Sequence, residues 1–244
     1  MRLDHATWPE VEDYLKRNRG ILLPVGSTEQ HGPMGLIGTD ALCAEAIACA
    51  AADKAGAYVA PTLCYTPAHF NTGFPGTISV SEATFSALFA ELLTGLRAQG
   101  FCRIFVLNAH GANLAPMRAV VDGSDPASVH IRSWWDYASV NDLRREFYGD
   151  WEGMHATPSE VAITQALYRS VPPGDASDPP RQLTTEEIKE RAGDRHGSPK
   201  RHRTEFPDGR VGSHSALAKP DHGARLLDAA AVAVAADFVE FAKS

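Results

Sequence analysis

The chain has 244 residues, a formal net charge of -7, 44% hydrophobic residues and 22% charged residues. The acidic balance argues against a nucleic-acid backbone as partner, and the composition is ordinary for a globular protein. No apolar run is long enough to span a bilayer, and the N-terminus lacks the apolar core of a signal peptide, so we expect a cytoplasmic protein with no membrane partner. We predict one domain over residues 1–244 that acts as an enzyme or binds a small molecule.

Helical and extended patterns alternate along the chain. The predicted strands cover 20–25, 58–62, 103–108 and 129–134, and the predicted helices cover 7 to about 20, 40–55, 82–99, 115–121, 158–167, 185–191 and 224–242. Such alternation is typical of parallel strands joined by right-handed crossovers. We therefore predict an α/β fold with a mostly parallel central sheet.

A loop rich in glycine and polar residues follows the first strand. Glu29 and His31 are two residues apart, so their side chains leave an extended chain on the same side and can meet at one point. Asp40 opens the alanine-rich helix and can face the same place. Carboxylate and imidazole groups together form a ligand set for zinc or a harder divalent ion. The alternative is that Asp40 only caps its helix and Glu29 is solvated.

Polar residues also follow the third strand and precede a later helix. His110 comes directly after the strand over 103–108, at the edge where open α/β sheets place ligands. Glu160 stands three residues after Thr157 in the spacing of a capping box, so it is either a helix cap or a metal ligand. His155 could transfer a proton, or it could be a loop histidine bonded to the backbone.

The predicted ligands are more than the three that a single tetrahedral ion with one open coordination position requires. They come from three strand-to-helix junctions that a parallel sheet brings to one edge, and they are Glu29, His31, Asp40, His110 and Glu160. Such a set suits two divalent ions that share one carboxylate. Ions roughly 3.5 to 4 Å apart can hold a hydroxide between them and polarise a carbonyl, which is the chemistry of amide hydrolysis.

The substrate pocket is expected beside these residues. Three of the four tryptophans fall within residues 134–151, where they either pack in the core or form the wall of a small-molecule pocket. We predict that the pocket contains Thr77, from the segment over 74–79, together with Trp134 and Trp151. The proline-rich segment over 171–208 completes it.

Four blocks of the chain resemble the creatininase family (creatinine amidohydrolases). They are LPVGSTEQHG at 23–32, GTD at 38–40, NAHGAN at 108–113, and the pair His155 and Glu160. The resemblance implies a three-layer α/β/α fold, two zinc or manganese ions per chain (iron in some relatives), and often a homohexamer. It implies that Glu29, His31, Asp40 and His110 are ligands, with Asp40 bridging the ions. His155 matches the family's catalytic histidine and Trp151 a substrate-contacting tryptophan.

The chain departs from creatininase proper in one loop. Creatininase has a glutamate ligand two residues after the strand-end histidine and an aromatic substrate contact before it, whereas this chain has Ala112 and Gly111. Glu160 is the expected replacement ligand. Creatinine is therefore not the expected substrate, and relatives include a deformylase and a peptidase that matures a redox cofactor. We predict hydrolysis of a non-peptide or cyclic C–N bond in a small molecule, with His155 transferring the proton.

Two other classes of function remain open from the sequence. A catalytically silent, metal-bound scaffold or ligand-binding subunit is compatible with Ala112, but the presence of His155 argues against it. A nucleic-acid-binding protein would rest on the basic run over 200–203. We interpret that run as a solvated loop because the whole chain is acidic.

Overall fold

The computed structural model describes residues 1–123, 125, 128–192 and 196–243. Its described strands form one parallel sheet in the order β2-β1-β3-β4, where β1 is Gly20–Val25, β2 Tyr58–Val59, β3 Arg103–Asn108 and β4 Val129–Ser133. The helices are Trp8–Leu15 (α1), Thr39–Ala55 (α2), Glu82–Ala98 (α3), Leu114–Val121 (α4), Ala138–Tyr148 (α5), Pro158–Leu167 (α6), Thr185–Arg191 (α7), Pro199–Glu205 (α8) and Pro220–Lys243 (α9). The predicted parallel α/β architecture is confirmed.

Helices cover both faces of this sheet. Successive side chains of β1 point to opposite faces, so Leu22 packs with α2 and α9, whereas Ile21 and Leu23 pack with α1, α3 and α4. All six residues of β1 are buried. Strands buried on both faces carry continuous apolar runs, and for that reason the sequence of β1 shows no polar alternation. The three-layer α/β/α fold is confirmed.

Several elements differ from their predicted extents. The first helix ends at Leu15 and not near residue 20, because the residues after it are polar and supply no apolar stripe. The prediction of a loop at 200–203 was wrong, because these residues lie in α8, where Ser198 accepts a hydrogen bond from the backbone N–H of Arg201. Their predicted exposure holds except at His202, which is fully buried. The sequence analysis also did not predict α5. Among the described residues, no helix is both long and apolar enough to cross a bilayer.

Gly26 sets the distance between the end of β1 and the start of α2. A Cβ atom at this position would lie 2.5 Å from Cα of Ala41 and from the carbonyl carbon of Asp40. The chain can pass this close to the helix only because glycine has no side chain. The approach brings the first turn of α2 to the carboxyl-terminal edge of the sheet, where ligands bind in open α/β folds.

Candidate metal centre

Asp40 lies at the centre of a buried cluster at this edge. Its Oδ1 is 2.8 Å from Nε2 of His31, and its Oδ2 is 3.0 Å from Nδ1 of His110. Ser27 Oγ donates a hydrogen bond of 2.8 Å to the same Oδ2. Each carboxylate oxygen of Asp40 therefore faces a different histidine, which is the arrangement that a bridging ligand needs.

The predicted ligands form two groups that share Asp40. Glu29, Asp40 and His110 make one group, and His31, Asp40 and Glu160 the other; within each, one ligand atom per residue lies within 4.8 Å of the others. Oε1 of Glu29 is 3.3 Å from Nδ1 of His110, and Oε1 of Glu160 is 3.7 Å from Nε2 of His31. The alternative of a solvated Glu29 was wrong, because its side chain is fully buried. Ligation itself stays a prediction.

Glu160 caps a helix, which is one of the two roles that the sequence left open, and its position is compatible with the other, that of a metal ligand. Its Oε1 accepts a hydrogen bond of 2.6 Å from the backbone N–H of Thr157, which completes a capping box at the start of α6, and the same oxygen faces His31. The expectation that it follows a strand was wrong, because α5 and a loop stand between β4 and α6. Ala156, at φ 57°, turns the chain between His155 and the cap.

His155 lies beside the first group of ligands. Its Nε2 is 2.8 Å from the backbone oxygen of Gln30, and its Nδ1 is 3.4 Å from Oε1 of Glu29. The amide nitrogens of Gln30 and Asn71 also lie 3.0 and 3.3 Å from Nε2, so this atom can donate to the Gln30 carbonyl oxygen in one tautomer and accept from an amide in the other. His155 also belongs to a third group of ligand atoms, with Glu29 and His31. The structure thus permits either proton transfer or ligation by His155.

Two amide side chains hold this region together, and the sequence analysis assigned neither of them a role. Asn71 donates a hydrogen bond of 2.8 Å from Nδ2 to Oε2 of Glu29 and accepts one of 2.7 Å from Nε2 of Gln30. The Gln30 amide also donates to the backbone oxygen of Gly209 at 3.1 Å. The only sequence signals were the position of Gln30 between two ligands and that of Asn71 in a long glycine-rich loop.

The buried charges of the cluster shift one another's pKa values. Burial lowers the pKa of His31, but the carboxylates of Asp40 and Glu160 outweigh this effect and raise it to about 10. Burial acts to raise the pKa of Asp40, yet charged His31 and a hydrogen bond from His110 hold it well below its usual range. Burial raises the pKa of Glu160 to about 7, against the opposing effect of His31.

The donor set fits a pair of divalent cations. Three carboxylates and two imidazoles converge with side chains that are at most 9% exposed. Buried carboxylates that lie this close together repel one another, and a bound cation compensates their charge. Imidazole and carboxylate ligands suit zinc, manganese or iron, in agreement with the predicted cofactors.

A cavity of about 350 Å³ opens onto these ligands. It is lined by residues that include Asp40, His110, His155 and Glu160, and Trp134 forms part of its wall. The described residues that line it do not include Trp151, whose ring packs against His214, or Thr77, whose Oγ1 accepts a hydrogen bond from the backbone N–H of Gln30. Substrate contacts by Trp134, Trp151 and Thr77 stay predictions.

Gly111 and Ala112, the two positions that differ from creatininase, line two different cavities. Gly111 lines the cavity with the ligands, where the missing side chain leaves room for substrate. Ala112 lines a separate cavity of about 810 Å³. Glu160 supplies a carboxylate to the group that contains His31 and Asp40, and its role as the replacement ligand stays a prediction.

Comparisons with known proteins find several relatives of this chain. The chain is 29% identical over 181 residues to the creatinine amidohydrolase of Pseudomonas putida, covering 66% of this chain and 70% of that protein. It is 38% identical over 108 residues to the mycofactocin precursor peptide peptidase of Mycolicibacterium smegmatis, covering 41% and 43%. It is 29% identical over 170 residues to the 3-dehydro-scyllo-inosose hydrolase of Thermotoga maritima, covering 66% and 54%. The match thus spans about half the length of the last two relatives.

Solved structures show the same fold. A crystal structure of creatinine amidohydrolase (creatininase) superposes with a TM-score of 0.78 at 23% identity, covering 100% of this chain and 98% of that one. A structure described as creatininase Mn gives a TM-score of 0.78 at 23% identity, covering 100% and 99%. The family model for creatininase (creatinine amidohydrolase) matches residues 4–238. The chain therefore belongs to the creatininase family.

Proposed function

We propose that this chain is a metal-dependent amidohydrolase that cleaves a non-peptide or cyclic C–N bond in a small molecule. The observation that carries the proposal is the position of Asp40, whose two oxygens face His31 and His110 at 2.8 and 3.0 Å and so belong to two ligand groups at once. Membership of the family supports hydrolysis of C–N bonds. The cavity of about 350 Å³ has the size of a small-molecule site.

The protein side chains prepare the site for this chemistry. Glu29, Asp40 and His110 would hold one ion, and His31, Asp40 and Glu160 the other. When bound, two divalent cations supply Lewis-acid activation of water and of the scissile carbonyl. Asn71 fixes the carboxylate of Glu29 through a hydrogen bond of 2.8 Å. Partners of this kind orient metal ligands and typically contribute about 10- to 100-fold to metal affinity or activity.

His155 is proposed to transfer the proton. In the tautomer with the proton on Nε2, which donates to the Gln30 carbonyl oxygen, Nδ1 would be the atom that takes a proton from the attacking water and delivers it to the leaving nitrogen. Nδ1 points towards Oε1 of Glu29 at 3.4 Å, and a carboxylate at this distance favours the protonated imidazole. His155 lines the cavity together with the ligands, so a substrate nitrogen can come within its reach.

Peptidase activity in the maturation of a cofactor is the second candidate. The supporting observation is the 38% identity over 108 residues with a mycofactocin precursor peptide peptidase. A cavity of about 350 Å³ can hold a few residues at a peptide end. We further propose that the protein is a homo-oligomer, as the family resemblance implies. Light scattering of the purified protein measures the oligomer directly.

The decisive experiment is metal analysis of protein purified without chelator, together with turnover of a panel of formamides, cyclic amides and short peptides. We expect about two ions per chain in the wild type. Asp40→Asn should retain at most about one ion per chain, because its amide nitrogen cannot replace the carboxylate oxygen that one of the two groups needs. Turnover should fall with the metal content.

Asp228→Asn is the matched control for this variant. Asp228 lies in α9, its side chain is 72% exposed, and its carboxylate pairs with Lys54 on the surface. The control should keep two ions per chain and full turnover. Two ions per chain and full turnover in Asp40→Asn would contradict the proposed metal centre.

A further inference from the structure

An arginine lines the cavity beside the predicted metal ligands. Arg144 comes from α5, and it lines the same cavity as Asp40, His110, His155 and Glu160. Its side chain is 19% exposed, so its charge lies largely out of bulk water. The surrounding wall includes Trp134, Trp135 and Leu114. A guanidinium between apolar side chains interacts with a bound anion more strongly than it would in water.

The guanidinium of Arg144 is held in place on three sides. Its Nε donates to Oε1 of Glu152 at 2.9 Å, and its Nη1 donates to Oδ1 of Asn141 at 2.8 Å. The ring of Trp134 lies under the group, with Cζ 5.7 Å from the ring centroid. These contacts fix the rotamer of the Arg144 side chain before a ligand binds, so ligand binding to the guanidinium costs little further side-chain entropy.

The anchoring of Arg144 is also connected to the metal ligands. Glu152 accepts a second hydrogen bond from Ser159 Oγ, and Ser159 Oγ lies 3.1 Å from Oγ1 of Thr157. Thr157 is the N-cap of α6, the helix that presents Glu160. One hydrogen-bond network therefore holds both the guanidinium of Arg144 and the helix that carries the predicted ligand Glu160, so the fold sets the distance between these two groups.

One edge of the guanidinium has no hydrogen-bond acceptor among the residues that the structure describes. Nε and Nη1 each have a partner, whereas Nη2 donates to none of these residues. An arginine that only stabilises the fold commonly pairs with a carboxylate through two parallel hydrogen bonds, one to each carboxylate oxygen. Here Oε2 of Glu152 has no hydrogen-bond partner within the described part of the chain. The pair is thus made through a single bond, which leaves Nη2 for a ligand.

We infer that Arg144 determines specificity by binding an anionic oxygen group of the substrate, of which a carboxylate is the smallest form. This inference rests on the proposed amidohydrolase function. The amide of the substrate would bind beside Asp40 and His155, and its anionic group beside Arg144, since all three residues line the same cavity. Arginine suits this task because its planar donors match the geometry of carboxylate and phosphate oxygens. Substrates are thus amides that carry a negative charge on the group opposite the scissile bond.

The test compares two probes that differ only in this charge. Succinamate and succinamide carry the same amide, and only the first carries a carboxylate. Calorimetric titration of the zinc-loaded wild type should show at least tenfold tighter binding of succinamate, since hydrogen bonds to charged groups contribute about 1.5–3 kcal/mol. Glutaramate and glutaramide extend the comparison by one methylene group. The measurement needs no turnover, so the result is independent of whether the panel of amides contains a substrate.

Variants then assign the preference to Arg144. Arg144→Gln should reduce the preference for succinamate to less than about threefold and leave the zinc content unchanged, whereas a failure of the proposed function would appear as loss of zinc from the wild type. The matched control is Arg145→Gln, which removes the same charge from the next position of α5, where the side chain is 72% exposed. The control should retain the wild-type preference.

A second variant guards against misfolding. If Arg144→Gln unfolds because Glu152 loses its cation, Arg144→Gln combined with Glu152→Gln removes both charges and should fold with the preference abolished. Equal affinity of the wild type for the two probes, including no binding of either, would overturn the inference. A preference that survives in a folded Arg144→Gln protein would overturn it as well.

Discussion

Replacement of Gly26 by alanine should disturb the site without changing any residue that lines it. Gly26 follows β1 directly and lies against the backbone of the first turn of α2. An added Cβ would lie 2.5 Å from Cα of Ala41 and from the carbonyl carbon of Asp40, and ordinary van der Waals contact begins near 3.4 Å. The strand end and the helix must therefore separate by about 0.9 Å. Both contacts are with backbone atoms, so no side-chain rotation can relieve them.

The expected magnitudes follow from this displacement. Overpacking of this kind typically costs about 1–3 kcal/mol of unfolding free energy. For a chain of 150–250 residues, each kcal/mol lowers the melting temperature by about 2–4 °C. The displaced backbone carries Asp40, the shared ligand of both groups, and a shift near 1 Å in a reacting geometry can cost about 100-fold in rate. Turnover should therefore fall much more than stability.

Thermal melting, metal analysis and steady-state turnover of Gly26→Ala check this prediction. The matched control is Gly95→Ala in α3, where an added Cβ meets nothing within 4 Å. The control should melt at or above the wild-type temperature, since alanine favours a helix over glycine by about 1 kcal/mol. Wild-type metal content and turnover in Gly26→Ala would refute the argument that this contact positions Asp40.

Three further predictions concern the ligands and their protons. His155→Gln should lower kcat by about 10²- to 10⁴-fold at unchanged metal content, whereas loss of metal would assign His155 to the third ligand group. Metal binding at pH 7 should release roughly one to two protons per chain, because His31 with a pKa of about 10 is protonated and Glu160 with a pKa of about 7 is half protonated before metal binds. Metal affinity should therefore weaken as the pH falls through 7. Calorimetry in buffers of different ionisation enthalpy measures the proton release, and a result of no release would contradict this prediction. A chelator should lower the melting temperature, since metal at 100 times its Kd stabilises the fold by about 2.7 kcal/mol, and an unchanged melting temperature would argue against tightly bound metal.

The local sequence was sufficient to predict elements and ligand candidates. Gly20–Val25 was predicted to be a buried strand from its apolar run, and the structure has this strand with the same bounds. The spacing of Thr157 and Glu160 predicted a capping box that the structure contains. Glu29, His31 and Asp40 were singled out because they follow that strand within a short loop. These features depend on neighbours in the chain, so a single sequence carries them.

Contacts between distant segments could not be predicted in this way. The amide of Gln30 bonds to the backbone of Gly209, 179 residues further along the chain, and no local pattern encodes this contact. His202 was read as part of a charged loop, but α8 packs it against Phe70 and buries it. Arg144 lies in α5, a helix that the sequence pattern did not predict, and only the packing of that helix brings its guanidinium over Trp134.

The sequence by itself determined the family, the α/β class and the chemical types of the ligands, because strand and helix periodicity and short motifs depend on residues that are close along the chain. Only the tertiary structure decided that the two oxygens of Asp40 face different histidines, that Glu160 lies with His31 and Asp40, and that Arg144 reaches the same cavity. Each of these depends on how closely packed layers approach one another, and that distance is set by contacts such as the one at Gly26 between residues of different elements.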